Sequence, residues 1–152
     1  MEIGVVDQAL TRALRRAVLR PELSPNDPLP GDDVPDAVHF AALSPTGEAL
    51  STCFVFPAPC PWQPERAGAW QMRQMATQPA CRGQGIGGAV LTAVAEHLTA
   101  AGAPLAWCQA RLVAVPFYEH HGWLAHGAVY QHIGMPHRDM WLELSGPTSA
   151  RP

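Results

Sequence analysis

The stretch that decides the fold runs from residue 70 to residue 101 and reads WQMRQMATQPACRGQGIGGAVLTAVAEHLTAA. Apolar and polar side chains alternate over residues 70–77, which predicts a β-strand. From Ile86 to Ala101 the apolar residues recur with a helical period, which predicts a helix that packs one stripe on a sheet. The residues between them, 82–88, contain four glycines and form the connecting turn.

This turn has the composition of an anion-binding site. Glycine tolerates positive φ and has no Cβ, so successive backbone N–H groups can point at one ligand at close range. The unpaired N–H groups at a helix start and the helix dipole also favour a bound phosphate, and Arg82 adds a positive charge. The turn is therefore predicted to hold the diphosphate of a cofactor, through Arg82, Gly83, Gln84, Gly85, Ile86, Gly87 and Gly88.

Two other glycine-rich motifs do not fit. Gly83, Gly85 and Gly88 spell G-x-G-x-x-G, but a dinucleotide-binding fold needs an acidic residue about 20 positions later, at the end of the next strand. Residues 104–109 end in Trp-Cys-Gln instead. A P-loop needs G-x-x-x-x-G-K-[ST], which the chain lacks. That the glycines only turn the chain tightly stays the simplest alternative at this point.

The sequence resembles the GCN5-related N-acetyltransferases, the GNAT superfamily. Residues 82–87 fit its R/Q-x-x-G-x-G/A signature, and residues 75–79 look like its strand and x-Pro step. In that family the turn holds the pyrophosphate of acetyl-coenzyme A, and the strand splays from its neighbour at a bulge to free backbone groups for the pantetheine arm. The resemblance implies that Met75, Ala76 and Thr77 bind the cofactor, with a backbone N–H near Met75 or Ala76 facing the thioester carbonyl.

A second motif lies in residues 110–123, where a helix is predicted at about 113–121 with a proline in its first turn and a glycine at its end. It is similar to the family's A-x-x-F-Y-E-x-x-G-F segment, with Trp123 in place of the usual phenylalanine. The resemblance implies that Tyr118 is the general acid that protonates the departing thiolate. Family members often carry asparagine just before this helix, whereas residues 108–111 read Cys-Gln-Ala-Arg.

The acceptor side of the reaction is less defined. Arg73 and Arg111 are candidates for binding a carboxylate or phosphate of the acceptor, and His137 for pointing into the acceptor site. A Gly-x-Pro-His stretch like the one that ends at His137 recurs in some acetyltransferases of this kind. The general base stays open between Glu65, Glu119, His137 and a water chain. Amino acids, polyamines, antibiotics and protein amines all remain acceptor candidates.

Near the N-terminus, Asp7 suits the N-cap of a helix that ends near Leu19, before a proline. Its arginines are predicted to form a solvated face, or, for Arg16 and Arg20, to line a substrate entrance; they are Arg12, Arg15, Arg16 and Arg20. Its buried stripe is predicted to comprise Leu10, Leu14, Ala17 and Val18.

The remaining strands alternate with loops. Prolines oppose regular structure in residues 21–35 and 57–68, which are predicted to be loops. Further strands are predicted at 37–43, 48–56, 104–109, 129–133 and 140–144. The first two form an antiparallel hairpin, the third runs parallel to the central strand through a crossover, and residues 134–138 connect the last two.

Composition excludes several classes of protein. A length of 152 residues with 47% hydrophobic and 15% charged residues predicts one globular domain. The net charge of −3 offers no basic field for nucleic acid, and no apolar run approaches a membrane span. Cysteines 53, 60, 81 and 108 lack metal or redox spacing, and no secretory signal is seen, so free thiols in a cytoplasmic protein are expected. The histidines lack metal-binding spacing, so no metal is expected.

Together these features predict one α/β domain over residues 1–145, followed by a flexible tail, 146–152. The expected fold is GNAT-like, a mixed and mostly antiparallel twisted sheet with helices on both faces. The expected activity is transfer of an acetyl group from acetyl-coenzyme A to a primary amine of a small molecule or peptide, with homodimer formation left open. The alternatives are a non-catalytic acyl-CoA sensor and a thiol-dependent acyltransferase that uses Cys81 or Cys108.

Overall fold

The computed structural model describes residues 1–145, so the predicted tail, 146–152, lies outside the described residues. The chain divides into two compact units. The first unit comprises Met1–Phe56 and Met72–Val94, and the second comprises Pro57–Gln71 and the chain from Ala95 onward.

Seven strands form one sheet in the order β1-β2-β3-β4-β5-β7-β6. The strands are β1 Glu2–Val6, β2 Val38–Leu43, β3 Ala49–Pro57, β4 Trp70–Thr77, β5 Leu105–Arg111, β6 Leu124–His132 and β7 Met135–Glu143. The helices are α1 Arg12–Leu19, α2 Ile86–Ala100 and α3 Val115–His120, each preceded by a short 3-10 segment, at Gln8–Thr11, Pro79–Cys81 and Leu112–Ala114. β4 and β5 pair in parallel, whereas β1–β2, β2–β3, β5–β7 and β6–β7 pair antiparallel, which confirms the predicted mixed sheet.

In the first unit, the predicted hairpin of β2 and β3 is confirmed. Its turn closes with a 2.9 Å hydrogen bond from the Gly47 N–H to the Ser44 carbonyl. Buried residues of this unit come from both strands and from the start of α2, because the helix turns one apolar stripe inward. They include Phe40, Cys53, Phe54, Val55, Ile86, Val90, Leu91 and Val94.

The N-terminal helix begins as predicted, since Asp7 caps it through a 2.8 Å hydrogen bond from the Ala9 N–H. The predicted buried stripe is confirmed at Leu14 and, partly buried, at Val18. It is wrong at Leu10, which is 46% exposed, and at Ala17, which is exposed. Residues 8–11 form a 3-10 turn, which advances about 120° per residue and rotates the buried face. The buried face of the helix comprises Thr11, Leu14, Arg15 and, partly buried, Val18. Arg15 is therefore wholly buried, and its assignment to a solvated face is wrong.

In the second unit, α2 ends at the predicted stop. Gly102 has φ +82° and the Ala103 N–H donates to the Leu98 carbonyl at 3.0 Å, which caps the helix. β5 then runs parallel to β4, with Trp70 opposite Ala106, and antiparallel to β7. β5 contributes to a cluster of buried side chains, which comprises Cys60, Ala69, Leu105 and Trp107.

The last two strands are longer than predicted. They span Leu124–His132 and Met135–Glu143, and a two-residue turn of Ile133 and Gly134 joins them, with φ of +52° and +72°. Residues 135–138 therefore belong to β7 rather than to a connecting loop. Much of β6 is polar and exposed, so its sequence lacks the apolar alternation that marks a strand.

Candidate active site

The glycine-rich turn lies where predicted, in the first unit. After Pro79–Cys81 the chain turns at residues 82–85, and α2 starts at Ile86. The first bond into this helix runs from the Ala89 N–H to the Gly85 carbonyl at 3.0 Å. The N–H groups of the residues just before Ala89 lie in the first turn of the helix, where donors have no acceptor within the helix.

The outer side of this turn is open. Gly83 and Gly85 have φ of +77° and +81°, and a Cβ built on either would meet no atom within 4 Å. Gln84 fixes the turn by donating from Nε2 to the Ala80 carbonyl at 3.2 Å, and the Arg82 side chain is exposed. Open space, helix-start N–H donors and a nearby guanidinium fit a diphosphate. These residues could hold the diphosphate of coenzyme A.

Strand β4 carries an irregularity before the residues predicted to bind the pantetheine arm. Gln74 has φ +57°, a conformation that costs energy for a non-glycine residue. The parallel ladder to β5 comprises Trp70 and Gln71, ahead of this point. Ala76 is buried, and the Thr77 hydroxyl lies 2.9 Å from that of Ser51. Cofactor binding by Met75, Ala76 and Thr77 stays a prediction.

Arg73 precedes this irregularity and is exposed. Its guanidinium carbon lies 5.8 Å from the centroid of the Phe54 ring, a cation–π distance. The charge is thus held against an aromatic ring of the neighbouring strand β3 and stays accessible to solvent. An acceptor carboxylate could reach it.

Tyr118, in the second unit, lies on α3 as the motif predicts. Pro116 occupies the first turn of this helix, and after its end the Trp123 N–H donates to the Tyr118 carbonyl at 3.0 Å. The Tyr118 side chain is 5% exposed, and its ring centroid lies 5.3 Å from those of Phe117 and Trp123. The ring is therefore fixed in one orientation, as a positioned acid requires.

The other candidates, for acceptor binding and for the general base, lie in the second unit. Arg111 ends β5 directly opposite His137 of β7. His137 is 6% exposed, and its Nδ1 lies 2.9 Å from the Met135 carbonyl. Glu65 and Glu119 are exposed. Burial on a strand makes His137 a weaker candidate for an accessible base than its predicted loop position implied.

The four cysteines form no disulfide within residues 1–145. Burial raises the pKa of the Cys53 thiol to about 12 and also raises that of Cys60, which makes both poor nucleophiles at neutral pH. Cys108 is buried and Cys81 is half-buried. Within residues 1–145, no three His, Cys, Asp or Glu side chains are grouped to hold a metal ion. Over the same residues, every helix is too short or too polar to cross a bilayer.

Two polar clusters were not predicted from the sequence. In the first unit, Arg15 donates from Nη2 to Asp32 Oδ1 at 2.6 Å and from Nη1 to Gln74 Oε1 at 3.1 Å. Gln74 Nε2 donates in turn to the Pro30 carbonyl at 2.6 Å, which fixes the loop to the sheet. His39 is buried close by, and neither of its ring nitrogens finds a hydrogen-bond partner within residues 1–145. Burial, followed by the charge of Arg15, lowers the pKa of His39.

The second cluster lies in the second unit, on β6 and β7. The Tyr130 hydroxyl donates to Asp139 Oδ1 at 2.5 Å. Burial and the hydrogen bond to Asp139 raise the pKa of Tyr130, so the phenol stays protonated. The Trp62 ring stacks on His126, with centroids 4.4 Å apart and planes 7° apart. These residues come from two strands and a preceding loop and meet only in the folded chain, so no local motif could have identified them.

A family model for the acetyltransferase (GNAT) domain matches residues 66–144, just over half of the chain. A proposed N-acetyltransferase from Lactobacillus plantarum has a TM-score of 0.77 and 22% identity, covering 95% of this chain and 99% of its own. Escherichia coli ElaA has a TM-score of 0.73 and 19% identity, covering 93% and 99%. Among proteins of curated function, none matches the sequence.

One further solved structure contains a ligand. It is an aminoglycoside 6′-N-acetyltransferase complexed with coenzyme A, with a TM-score of 0.72 and 13% identity, covering 95% of this chain and 97% of its own. At these identities the likenesses establish the fold alone. They confirm the predicted fold class.

Proposed function

This chain belongs to the GNAT acetyltransferase family, and we propose that it transfers an acetyl group from acetyl-coenzyme A to a primary amine in a ternary complex. The observation that carries the proposal is the turn at residues 82–85, which opens α2 with two positive-φ glycines and open space outside them. That geometry leaves room for a diphosphate beside the N–H donors of the helix start. The acceptor amine is not specified by the turn.

The cofactor would supply an acetyl group activated as a thioester. Residues 82–88 bind its diphosphate through backbone N–H groups and the Arg82 guanidinium. Residues 75–77 bind the pantetheine arm through backbone groups, and an N–H near Met75 or Ala76 donates to the thioester oxygen. Each of these assignments uses backbone donors that are fixed before binding, so little reorganisation is needed.

Tyr118 supplies the proton that the leaving sulfur needs. An ordinary phenol has a pKa of about 10 and an ordinary thiol about 8.5, so a phenol keeps its proton at neutral pH until the carbon–sulfur bond breaks. The amine nitrogen forms the new bond to the carbonyl carbon, the sulfur leaves with the bonding pair, and the phenolic proton goes to the sulfur. The nearby rings of Phe117 and Trp123 hold the phenol in place during this step.

The acceptor must be bound and deprotonated by other groups. Arg73 and Arg111 are proposed to bind an anionic group of the acceptor, and the exposed position of Arg73 favours it. Glu65, Glu119, His137 or a water chain takes the proton from the amine. A non-catalytic acyl-CoA sensor is the alternative that shares the same cofactor turn.

Isothermal titration of acetyl-coenzyme A tests the cofactor site. Gly85→Glu should abolish binding, because a carboxylate would project into the space proposed for the diphosphate. Gly102→Glu is the matched control, because it has the same charge, φ of +82° against +81° and equally open surroundings at the other end of α2. It should bind like wild type. Loss of binding in both variants, or in neither, would contradict the proposed turn site.

Replacement of Tyr118 by phenylalanine tests catalysis. We expect the acetyl-transfer rate to fall about 10²- to 10⁴-fold, because general acid catalysis typically contributes that much. Acetyl-coenzyme A should still bind, as titration would show. Release of free thiol in the presence of a panel of amines reports the rate. Binding without turnover in the wild type would favour the sensor, and an acetylated enzyme by intact mass would favour a cysteine mechanism.

A further inference from the structure

One face of the sheet in the second unit carries rows of functional side chains. Residues directly opposite one another on paired strands point to the same face. Gln109, Asp139 and His126 form one such row, across β5, β7 and β6. The adjacent rows are Trp107, Trp141 and Leu124 on one side, and Arg111, His137 and Tyr130 on the other.

Asp139 forms no ion pair among residues 1–145, although Arg111 lies in the adjacent row of the same face. Among residues 1–145, the ion pairs are Arg12–Asp32, Arg15–Asp32, Arg20–Glu22 and Arg66–Glu143, so none includes Asp139. Its donor is instead the neutral phenol of Tyr130, at 2.5 Å from Oδ1. A carboxylate can accept about four hydrogen bonds, which leaves Oδ2 able to bind another donor.

Aromatic rings lie alongside this carboxylate. Trp62 stacks on His126, the register partner of Asp139, and meets Trp107 edge-on at a centroid distance of 5.8 Å. Trp107 is held by a 3.1 Å hydrogen bond from Nε1 to the Ala58 carbonyl. The Trp62 Nε1 is buried and has no acceptor within residues 1–145. Trp107 is 6% exposed and supports the half-buried Trp62 ring from within the core. An indole ring attracts cations through its face and buries apolar groups, so the Trp62 ring suits an organic cation rather than a hydrated one.

We propose that Asp139, Tyr130, Trp62 and His126 form a binding site for an organic ammonium group attached to an apolar or aromatic body. Asp139 binds the ammonium, Tyr130 orients the carboxylate, and the Trp62 ring, supported by Trp107, contacts the apolar body. The assignment of this ligand as the acceptor amine rests on the proposed function. The ammonium form is captured here and must lose its proton before the nitrogen attacks.

Titration with phenethylamine tests this site, using tryptophan fluorescence and calorimetry without acetyl-coenzyme A. We expect phenethylamine to bind more tightly than the neutral analogue 2-phenylethanol. Asp139→Asn should weaken phenethylamine binding about tenfold or more, in line with a hydrogen bond to a charged group, and leave 2-phenylethanol unchanged. The asparagine oxygen still accepts from Tyr130, which preserves the fold. Glu96→Gln, an equal charge change on an exposed face of α2, should bind like wild type.

Equal binding of amine and alcohol by the wild type, or an Asp139→Asn protein that binds phenethylamine like wild type, would overturn the site. Tyr130→Phe removes the hydroxyl that orients the carboxylate but leaves the charge of Asp139. This variant should therefore keep the preference for amine over alcohol. Loss of that preference would also overturn the role given to Asp139. These titrations contain no acetyl-coenzyme A. If acetyl-coenzyme A fails to bind in its own titration, the proposed function is contradicted but the ammonium site is not.

Discussion

Asp32 in the first unit and Asp139 in the second are both half-buried carboxylates, yet their partners differ in charge. Asp32 accepts from two arginines, at 2.6 Å from Arg15 and 3.1 Å from Arg12, and Arg15 is wholly buried. Asp139 accepts from a neutral phenol. The charge of the first carboxylate is therefore balanced by the protein, whereas the second, in the site proposed above, has no cationic partner among residues 1–145.

The difference separates a structural carboxylate from a functional one. Burial alone would raise the pKa of Asp32, but the hydrogen bonds and charges of Arg15 and Arg12 outweigh it, so its pKa lies below the usual range. The buried guanidinium needs this carboxylate, because an unpaired buried charge is costly. No buried cation depends on Asp139 within residues 1–145. Its removal should affect binding more than folding.

The largest effect on stability is expected for Asp32→Asn. Breaking a buried ion pair costs about 3–5 kcal/mol, and the 24% exposure of the Asp32 side chain reduces this to about 2–3 kcal/mol. Asp139→Asn should cost less than about 1 kcal/mol, because its hydrogen bond to Tyr130 persists. Urea unfolding of both variants at pH 7 measures the two free energies. Equal losses, or a larger loss for Asp139→Asn, would remove the distinction between the two carboxylates.

The features that the sequence predicted well are local. Strand β4, its following turn and the start of α2 are contiguous, and the apolar period changes at Ile86 where the helix begins. The glycine turn and Tyr118 lie within short family motifs, so their positions needed no knowledge of distant contacts. Family membership followed from these same residues and is now established by the match over residues 66–144.

The features that the sequence did not predict depend on distant partners. Arg15 is buried because Asp32 and Gln74, 17 and 59 residues away in the chain, satisfy its guanidinium. Polar helical residues ordinarily face solvent, so pattern alone assigned it wrongly. Asp139 and Tyr130 meet across a hairpin whose turn is made by Ile133 and Gly134. Without the register of that hairpin, the two residues give no sign of a shared site.

A smaller effect, on the pH dependence of stability, should come from His39 in the first unit. Burial and the charge of Arg15 lower the pKa of His39, so the folded chain resists a proton that the unfolded chain binds near the ordinary histidine pKa of about 6.5. The stabilisation from neutral His39 is therefore fully present above about pH 6.5 and is lost as the pH falls toward the folded pKa. Asp32, whose pKa is also lowered, loses its contribution only below its unfolded value of about 3.9.

Between pH 7.5 and pH 5, His39 should thus dominate the acid sensitivity of the first unit. His39→Phe keeps a ring against Phe54, 5.0 Å away, and removes the titrating group, so its free energy of unfolding should change less over this range than that of wild type. If His39→Phe loses as much stability on acidification as wild type, the acid-sensitive group lies elsewhere.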